Sequence, residues 1–202
     1  MNILERKGII MDFFDSAYEG IPPWDIGRPQ REIIRLAEER EIIGGVLDVG
    51  CGSGENALYL AHLGFEVWGI DAASSAIKKA REKAKERGIK VKFLVGDALR
   101  LQSIQNKFDT VIDCGLFHVF TDEERPIFAA SLSSVLIPGG RYFMLCFSEH
   151  EPGSFGPRRV TQVEIRATFN KGWKINYIRE AEFETMSGTE GVKAWLSSIT
   201  RL

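Results

Sequence analysis

The 202-residue chain lacks an excess of either charge. Its 26 lysines and arginines stand against 28 aspartates and glutamates, which gives a formal net charge of −2 at pH 7. Enzymes that act on nucleic acids usually carry a basic face that neutralises phosphates, and these totals indicate none. We therefore expect no nucleic-acid partner.

Cysteines and long apolar runs are also scarce. Cys51, Cys114 and Cys146 are odd in number and lie inside apolar runs, which is typical of reduced thiols rather than of a disulfide framework. No N-terminal stretch has the pattern of a signal peptide, and no apolar run reaches the length that crosses a bilayer. We expect a cytoplasmic protein without a membrane partner, and the oligomeric state stays open.

Seven β-rich runs, separated mostly by helical patterns, organise the chain. The runs are Gly45–Val49, Glu66–Ile70, Val91–Val95, Phe108–Cys114, Arg141–Phe147, Trp173–Phe183 and Val192–Arg201. Strands that alternate with helices form parallel sheets with right-handed crossovers, and two late strands without a helix between them predict a hairpin. The predicted fold class is α/β: a doubly wound, Rossmann-like, mostly parallel seven-stranded sheet with a C-terminal antiparallel hairpin and helices on both faces.

Two capping boxes and one charged amphipathic pattern place three of the helices. Ser74–Arg87 is a charged amphipathic run that ends at a glycine. Thr121 and Glu124 have capping-box spacing ahead of a helix that runs to about Leu136, and Thr161 and Glu164 repeat that spacing ahead of another.

The turn after the first predicted strand is rich in glycine. Gly50, Gly52 and Gly54 alternate with Cys51 and Ser53 and lead directly into a helix. Glycine is required where the backbone turns sharply or approaches a ligand closely, and the N–H groups at a helix start attract negative groups. Such a turn is typical of many nucleotide-binding proteins, and an ordinary tight turn is the alternative.

Two carboxylates follow the next two strands. Asp71 comes directly after the second strand, where a carboxylate can accept hydrogen bonds from both ribose hydroxyls, and Asp97 follows the third, where it can accept from an adenine amino group. A single acidic residue in such a position is more often a helix or turn cap. Together, at consecutive strand ends, they indicate a nucleoside ligand.

NAD and S-adenosylmethionine both suit this arrangement, and charge separates them. The dinucleotide fingerprint has a third glycine where this chain has Glu55, and a carboxylate there would repel a pyrophosphate. S-adenosylmethionine has no phosphate but carries an amino-acid tail and a sulfonium cation, which Asp48 and Glu55 tolerate. The sequence therefore favours S-adenosylmethionine.

The run Val46–Gly54 (VLDVGCGSG) closely resembles the first motif of class I S-adenosylmethionine-dependent methyltransferases. Later motifs of that family are matched in order by Gly69-Ile70-Asp71, Gly96-Asp97-Ala98, Phe108-Asp109 and Pro138-Gly139-Gly140. The resemblance covers about residues 45–147 and is specific for the cofactor, far less so for the methyl acceptor. It implies a methyltransferase that converts S-adenosyl-L-methionine to S-adenosyl-L-homocysteine.

A narrower resemblance lies upstream. Pro22–Gln30 (PPWDIGRPQ) is similar to the N-terminal motif of a branch related to thiopurine, halide and tellurite methyltransferases. In that branch the segment lies over the cofactor, which implies that Trp24 packs near the sulfonium, where an aromatic face attracts a cation. Tyr18 is a weaker candidate for the same lid. The alternative is that Trp24 only anchors the segment.

The resemblance also implies roles for single residues. Gly50, Gly52 and Gly54 would line the methionine tail, supported by Asp48; Asp71 would hold the ribose, and Asp97 and Ala98 the adenine. Cys114 would lie beside the sulfonium. Arg125 falls where thiopurine methyltransferases place an arginine that faces the acceptor, with a helix-surface arginine as the equal alternative. The expected division is one domain over residues 1–202, with 1–44 as lid and helix, 45–147 as cofactor-binding core and 148–202 as acceptor-side loop, helix and strand pair.

Methyl transfer from a sulfonium is an in-line displacement that requires no metal, so none is expected. Orientation of the two reactants is the main contribution asked of the protein. A protonated acceptor would also need a base, for which His118 is the best-placed candidate, although a lone histidine among apolar residues is more often structural. An apolar wall at Phe117 and Phe120 would exclude water.

The leading hypothesis is transfer to a small-molecule nucleophile at sulfur, oxygen, nitrogen or an inorganic atom. The alternative is a non-catalytic regulatory protein that binds S-adenosylmethionine, and a Rossmann oxidoreductase ranks third. A DNA methyltransferase is disfavoured because Asp113–Leu116 differs from the Asn-Pro-Pro-aromatic run expected around a flipped base.

Overall fold

The sheet in the computed structural model has the seven predicted strands. The model describes residue 8 and residues 12–154, 156–186 and 191–202; parts of the predicted lid and one residue of the predicted acceptor-side loop lie outside these ranges. The strands are β1 Val46–Val49, β2 Val67–Asp71, β3 Lys92–Val95, β4 Phe108–Cys114, β5 Leu136–Phe147, β6 Trp173–Phe183 and β7 Val192–Arg201.

The strand order is β3-β2-β1-β4-β5-β7-β6. The pairs among β1 to β5 are parallel, and β7 runs antiparallel to both β5 and β6. The predicted terminal hairpin and mostly parallel sheet are therefore confirmed. Because the order reverses beside β1, between β1 and β4, a crevice is expected at the carboxyl ends of these two strands.

Helices cover both faces of the sheet. They are α1 Arg31–Glu38, α2 Glu55–His62, α3 Ser74–Glu86, α4 Glu124–Val135 and α5 Gln162–Thr168, joined by short 3-10 helices at Ala98–Ile104 and Phe117–Val119. Side chains of α1, α2 and α3 share one buried apolar cluster with one face of the sheet, and those of α4 and α5 share another with the opposite face. No helix in these described ranges is long and apolar enough to cross a membrane.

Capping boxes explain two of the helix starts. Thr161 and Glu164 form a complete capping box at α5. Ahead of α4, the Thr121 N–H donates to the Glu124 carboxylate and the Glu124 N–H donates to the Thr121 hydroxyl.

The start of β5 differs from the prediction. The strand begins at Leu136, five residues early, because Phe108 pairs with Leu136 while Thr110 pairs with Arg141. The Pro138-Gly139-Gly140 segment bulges out between these pairs, with Gly139 at a φ of 81°.

Candidate functional site

The glycine loop after β1 adopts backbone angles that favour glycine. Gly50, Gly52 and Gly54 have φ values of 70°, 53° and 87°. A Cβ at Gly54 would come within 2.7 Å of the Phe93 ring, so this glycine lets α2 start close to the sheet. A Cβ at Gly52 would overlap the hydroxyl of Tyr18, so the absence of a side chain lets Tyr18 pack directly against the middle of the loop.

Asp71 fastens this loop to the end of β2. One carboxylate oxygen accepts from the Gly52 N–H at 2.8 Å and the other from the Ala73 N–H at 2.9 Å. Burial raises the pKa of the carboxyl, and these backbone bonds oppose the shift. The structure thus brings Asp71 to the glycine loop, as the sequence predicts; its bond to a ribose stays a prediction.

Asp48 is a carboxylate buried beneath the loop. The residue is 1% exposed, and its Oδ2 atom finds no hydrogen-bond partner among the described residues. Burial, together with the nearby charges of Asp113 and Asp71, raises its pKa to about 8. An unpartnered buried acceptor of this kind is costly and is suited to a cationic or N–H-bearing ligand group.

At the end of β3, Asp97 caps a helix, which is the alternative considered for it in the sequence analysis. Asp97 accepts from the Leu99 N–H at 2.9 Å and so caps the following 3-10 helix. The backbone oxygen of Ala98 accepts from the Ser131 hydroxyl at 2.7 Å. Both residues lie at the expected strand end, and their predicted contacts with adenine stay predictions.

The N-terminal segment lies across the glycine loop. The Trp24 indole N–H donates to the Tyr18 hydroxyl at 3.0 Å, and the Trp24 ring packs edge-on against Phe14 with centroids 5.6 Å apart. Tyr18 is only 5% exposed, and burial raises the pKa of its hydroxyl. Tyr18 therefore contacts the loop itself and Trp24 supports it, a reversal of the importance that the sequence assigned to them.

Glu55 does not face the glycine loop as a free carboxylate. It pairs with Lys83 at 2.8 Å and with Arg87 at 2.7 Å, both from α3. Its charge is largely compensated, so the repulsion argument against a pyrophosphate was wrong in its physical basis. The identity of the cofactor has to rest on other evidence.

Asp113, for which sequence analysis predicts no role, organises the loop after β4. The fully buried carboxylate accepts from the N–H groups of Leu116 and Phe117 at 2.7 and 3.1 Å and from the Tyr142 hydroxyl at 2.7 Å. Burial raises its pKa to about 7. A carboxylate at the end of an apolar strand was the available signal. Cys114 follows it, near Asn56, and burial raises the pKa of its thiol well above the usual range.

His118 occupies a structural position. Its Nδ1 accepts from the Phe147 N–H at 3.1 Å, so the proton of the neutral ring lies on Nε2. Burial, with Arg159 and Arg125 nearby, lowers the pKa of the imidazole to about 3. This geometry weighs against the predicted base, because the lone pair that would accept a proton is already committed.

Arg125 lies inside the protein rather than on a helix surface. It is 2% exposed, stacks over the Phe117 ring with its central carbon 4.8 Å from the centroid, and bonds Glu164 of α5 at 2.9 Å. Its Nε and Nη2 atoms find no partner within the described ranges. The surface alternative is therefore wrong, and acceptor contact stays a prediction.

Two groups of buried aromatic rings lie near the loop after β4. Phe117 and Phe120 pack beside Phe128, with Phe117 fully buried, and the apolar wall predicted at these two residues stays a prediction. At the carboxyl ends of the strands the buried rings of His118, Phe147 and Phe183 also meet, with centroids 5.0 to 6.1 Å apart. Sequence reasoning missed Phe147 and Phe183 because only the folded sheet brings β5 and β6 together here.

Comparisons with known proteins agree with this geometry. The methyltransferase domain family matches residues 46–140. The chain is 38% identical over 183 residues to the 2-heptyl-1-hydroxyquinolin-4(1H)-one methyltransferase of Mycobacteroides abscessus, covering 85% of this chain and 81% of the relative. It is 29% identical to the probable thiol methyltransferase 2 of Arabidopsis thaliana, covering 90% and 82%.

A solved structure gives the same result. It comes from work on the conversion of a disulfide bond into a thioacetal group during echinomycin biosynthesis. It superposes with a TM-score of 0.87 at 35% identity and covers 95% of this chain and 91% of the other. With the glycine loop, the acids at the strand ends and the strand order above, these matches show that the chain belongs to the class I S-adenosylmethionine-dependent methyltransferases, in the branch that resembles the thiopurine, halide and tellurite enzymes.

Proposed function

We propose that this enzyme methylates the oxygen or sulfur atom of a small, acidic aromatic nucleophile. The observation that carries the proposal is the group of rings of His118, Phe147 and Phe183 beside the cofactor crevice, in which the imidazole is neutral and its lone pair is committed. Aromatic rings suit a planar acceptor. Without a free base at His118, an acceptor that has already lost its proton is favoured.

The residues present fit S-adenosylmethionine. The glycines of the loop, whose middle is covered by the Tyr18 hydroxyl, would present backbone groups to the methionine tail, and the unpartnered Oδ2 of Asp48 suits its ammonium group. Asp71 at the end of β2 would bind the ribose, and Asp97 with Ala98 the adenine. Tyr18 and Trp24 would cover the tail and exclude water. The bound cofactor supplies a methyl group activated by its sulfonium leaving group.

The protein's task is then positioning. An acceptor lone pair forms the new bond to the methyl carbon as the carbon–sulfur bond breaks, so an ionised acceptor needs no proton transfer. Near-attack geometry is worth up to about 7–11 kcal/mol in favourable models. Because an anion and a sulfonium cation become neutral products, a water-poor site assists the reaction. The relatives named for a hydroxyquinolone and for thiols fit the same acceptor chemistry.

A matched set of acceptors tests this proposal. We expect a 1-hydroxyquinolin-4-one and a thiophenol to yield S-adenosylhomocysteine fastest, a simple phenol more slowly, and an aliphatic alcohol not at all. The pH dependence of kcat/KM should follow the pKa of each acceptor. Equal turnover of an aliphatic amine or alcohol would overturn the proposal, and the Asp71→Ala variant serves as the cofactor-binding control.

Five further expectations stay predictions within this proposal. The acceptor side is assigned to residues 148–202, the lid to 1–44 and the cofactor core to 45–147. A cytoplasmic location and the lack of a nucleic-acid partner rest on composition alone.

A further inference from the structure

Glu184 joins two segments that are far apart in the sequence. It follows β6 directly, is 8% exposed, and accepts from both Nη atoms of Arg28 at 3.0 Å. The Gln30 side chain pairs with the backbone of Glu184 in both directions at 2.9 Å. The Met186 N–H also donates to the Pro23 carbonyl at 2.8 Å. Residues 23–31 are thus bound to residues 184–186.

The same carboxylate caps α1 from a distance. The residue at the helix N-cap, Gln30, makes no side-chain cap bond, while Glu184 Oε2 accepts from the Arg31 N–H at 2.9 Å. A carboxylate is favoured at the positive end of a helix dipole. Removal of its charge therefore loosens the helix start and the segment that precedes it together.

The segment held in this way is the lid. Trp24 lies between the contacts at Pro23 and Arg28, and it donates to Tyr18, whose hydroxyl lies over Gly52. On the cofactor side the lid has a bond from the Gln30 N–H to Asn56 at 2.9 Å. Phe183, the residue before Glu184, belongs to the aromatic group at the acceptor side. The proposed acceptor side and the proposed lid therefore come together at two consecutive residues, Phe183 and Glu184.

We propose that Glu184 is a positioning residue that holds the N-terminal lid closed over the cofactor site. The inference rests on the lid assigned under the proposed function. Glu184 acts through Arg28, Gln30 and Arg31 on the placement of Trp24 and Tyr18.

Calorimetry with S-adenosylhomocysteine tests the proposal without any acceptor. We expect Glu184→Gln to weaken binding by about fivefold to tenfold, since charged hydrogen bonds are lost but the arginine partners are half exposed. KM for S-adenosylmethionine should rise by the same factor while kcat changes less than about twofold. If Glu184 had only a structural role, Glu184→Gln would instead lower the fraction of enzyme that is folded and active. The apparent kcat would then fall while KM stayed unchanged.

Glu182→Gln is the matched control, because Glu182 is an exposed neighbour whose one ion pair among the described residues is with Arg31, at 3.6 Å. Arg28→Gln should weaken the binding of S-adenosylhomocysteine to a similar extent. The Arg28→Gln/Glu184→Gln double variant should bind it no more weakly than the weaker-binding of the two single variants. Unchanged affinity in both single variants, or an equal loss in Glu182→Gln, would overturn the proposal. If Trp24→Ala weakens binding while Glu184→Gln does not, the positioning role of Glu184 is wrong and the proposed lid is retained. If neither substitution weakens binding, the proposed lid itself is wrong.

Discussion

The carboxyl-end edge of the sheet has two halves, which present different chemical groups. At β1 and β2 the chain presents backbone: three glycines with positive φ, and a carboxylate that binds loop N–H groups. At β4, β5 and β6 it presents packed side chains: aromatic rings, a buried arginine and a neutral histidine. A cofactor held by main-chain atoms imposes strict local sequence rules, whereas a side-chain pocket can change one residue at a time.

The first prediction removes the main carboxylate of the cofactor half. Asp71→Ala should weaken S-adenosylhomocysteine binding about a hundredfold, because charged hydrogen bonds of roughly 1.5–3 kcal/mol each are lost from the loop or the ribose. Calorimetry measures the effect.

Asp109→Ala is the control for that change. Asp109 binds the Gly45 N–H at 2.8 Å before β1, at the opposite end of the sheet. Its loss should lower stability and leave affinity intact. If both variants bind like the wild type, the assignment of Asp71 is wrong.

The second prediction concerns the proposed lid, which adjoins both halves. Trp24→Ala removes the indole that bonds Tyr18 and packs on Phe14, and kcat/KM should fall about tenfold as the lid loosens. Trp24→Phe, which keeps an aromatic ring but loses the hydrogen bond, should have a kcat/KM between those of the wild type and of Trp24→Ala. Wild-type turnover in the alanine variant would remove the lid from the mechanism.

The third prediction concerns the acceptor half. His118→Asn should lower the rate about threefold for thiol and phenol acceptors alike, because only packing and the bond to Phe147 are lost. The wild-type rate should show no ionisation of His118 near neutral pH, since its pKa is lowered to about 3. A loss confined to protonated acceptors would restore His118 as the base.

The smallest expected effect is on stability. The pKa of Asp48 is about 8 in the folded protein against an ordinary value of 3.8, so the folded state keeps a proton that the unfolded state has lost. Stability therefore falls as pH rises between these values and levels off above about 8. Asp48→Asn should remove that part of the fall and raise Tm by a few degrees at about pH 8. Equal pH slopes of Tm in both proteins would contradict the shift.

Sequence reasoning reached the sheet and the cofactor loop because both follow local rules. Strand periodicity, capping boxes and the glycine spacing each depend on residues close in the chain, and β4, β6 and β7 agree with their predicted limits. Phe183 and Glu184 were missed because their partners are distant in the sequence: Phe147 at the end of β5, and the segment Arg28–Arg31. Asp113 was missed in part because Tyr142, which donates to it, comes from β5. Glu55 was misjudged for the same reason: its charge is compensated from α3.

The distant cap on α1 has a consequence for biosynthesis. The residue that completes the helix start is separated from it by 153 positions. A ribosome must therefore synthesise residue 184 before this cap on α1 can form. If the proposed lid holds, a nascent chain that stops short of Glu184 lacks the contact that closes it over the methyl donor.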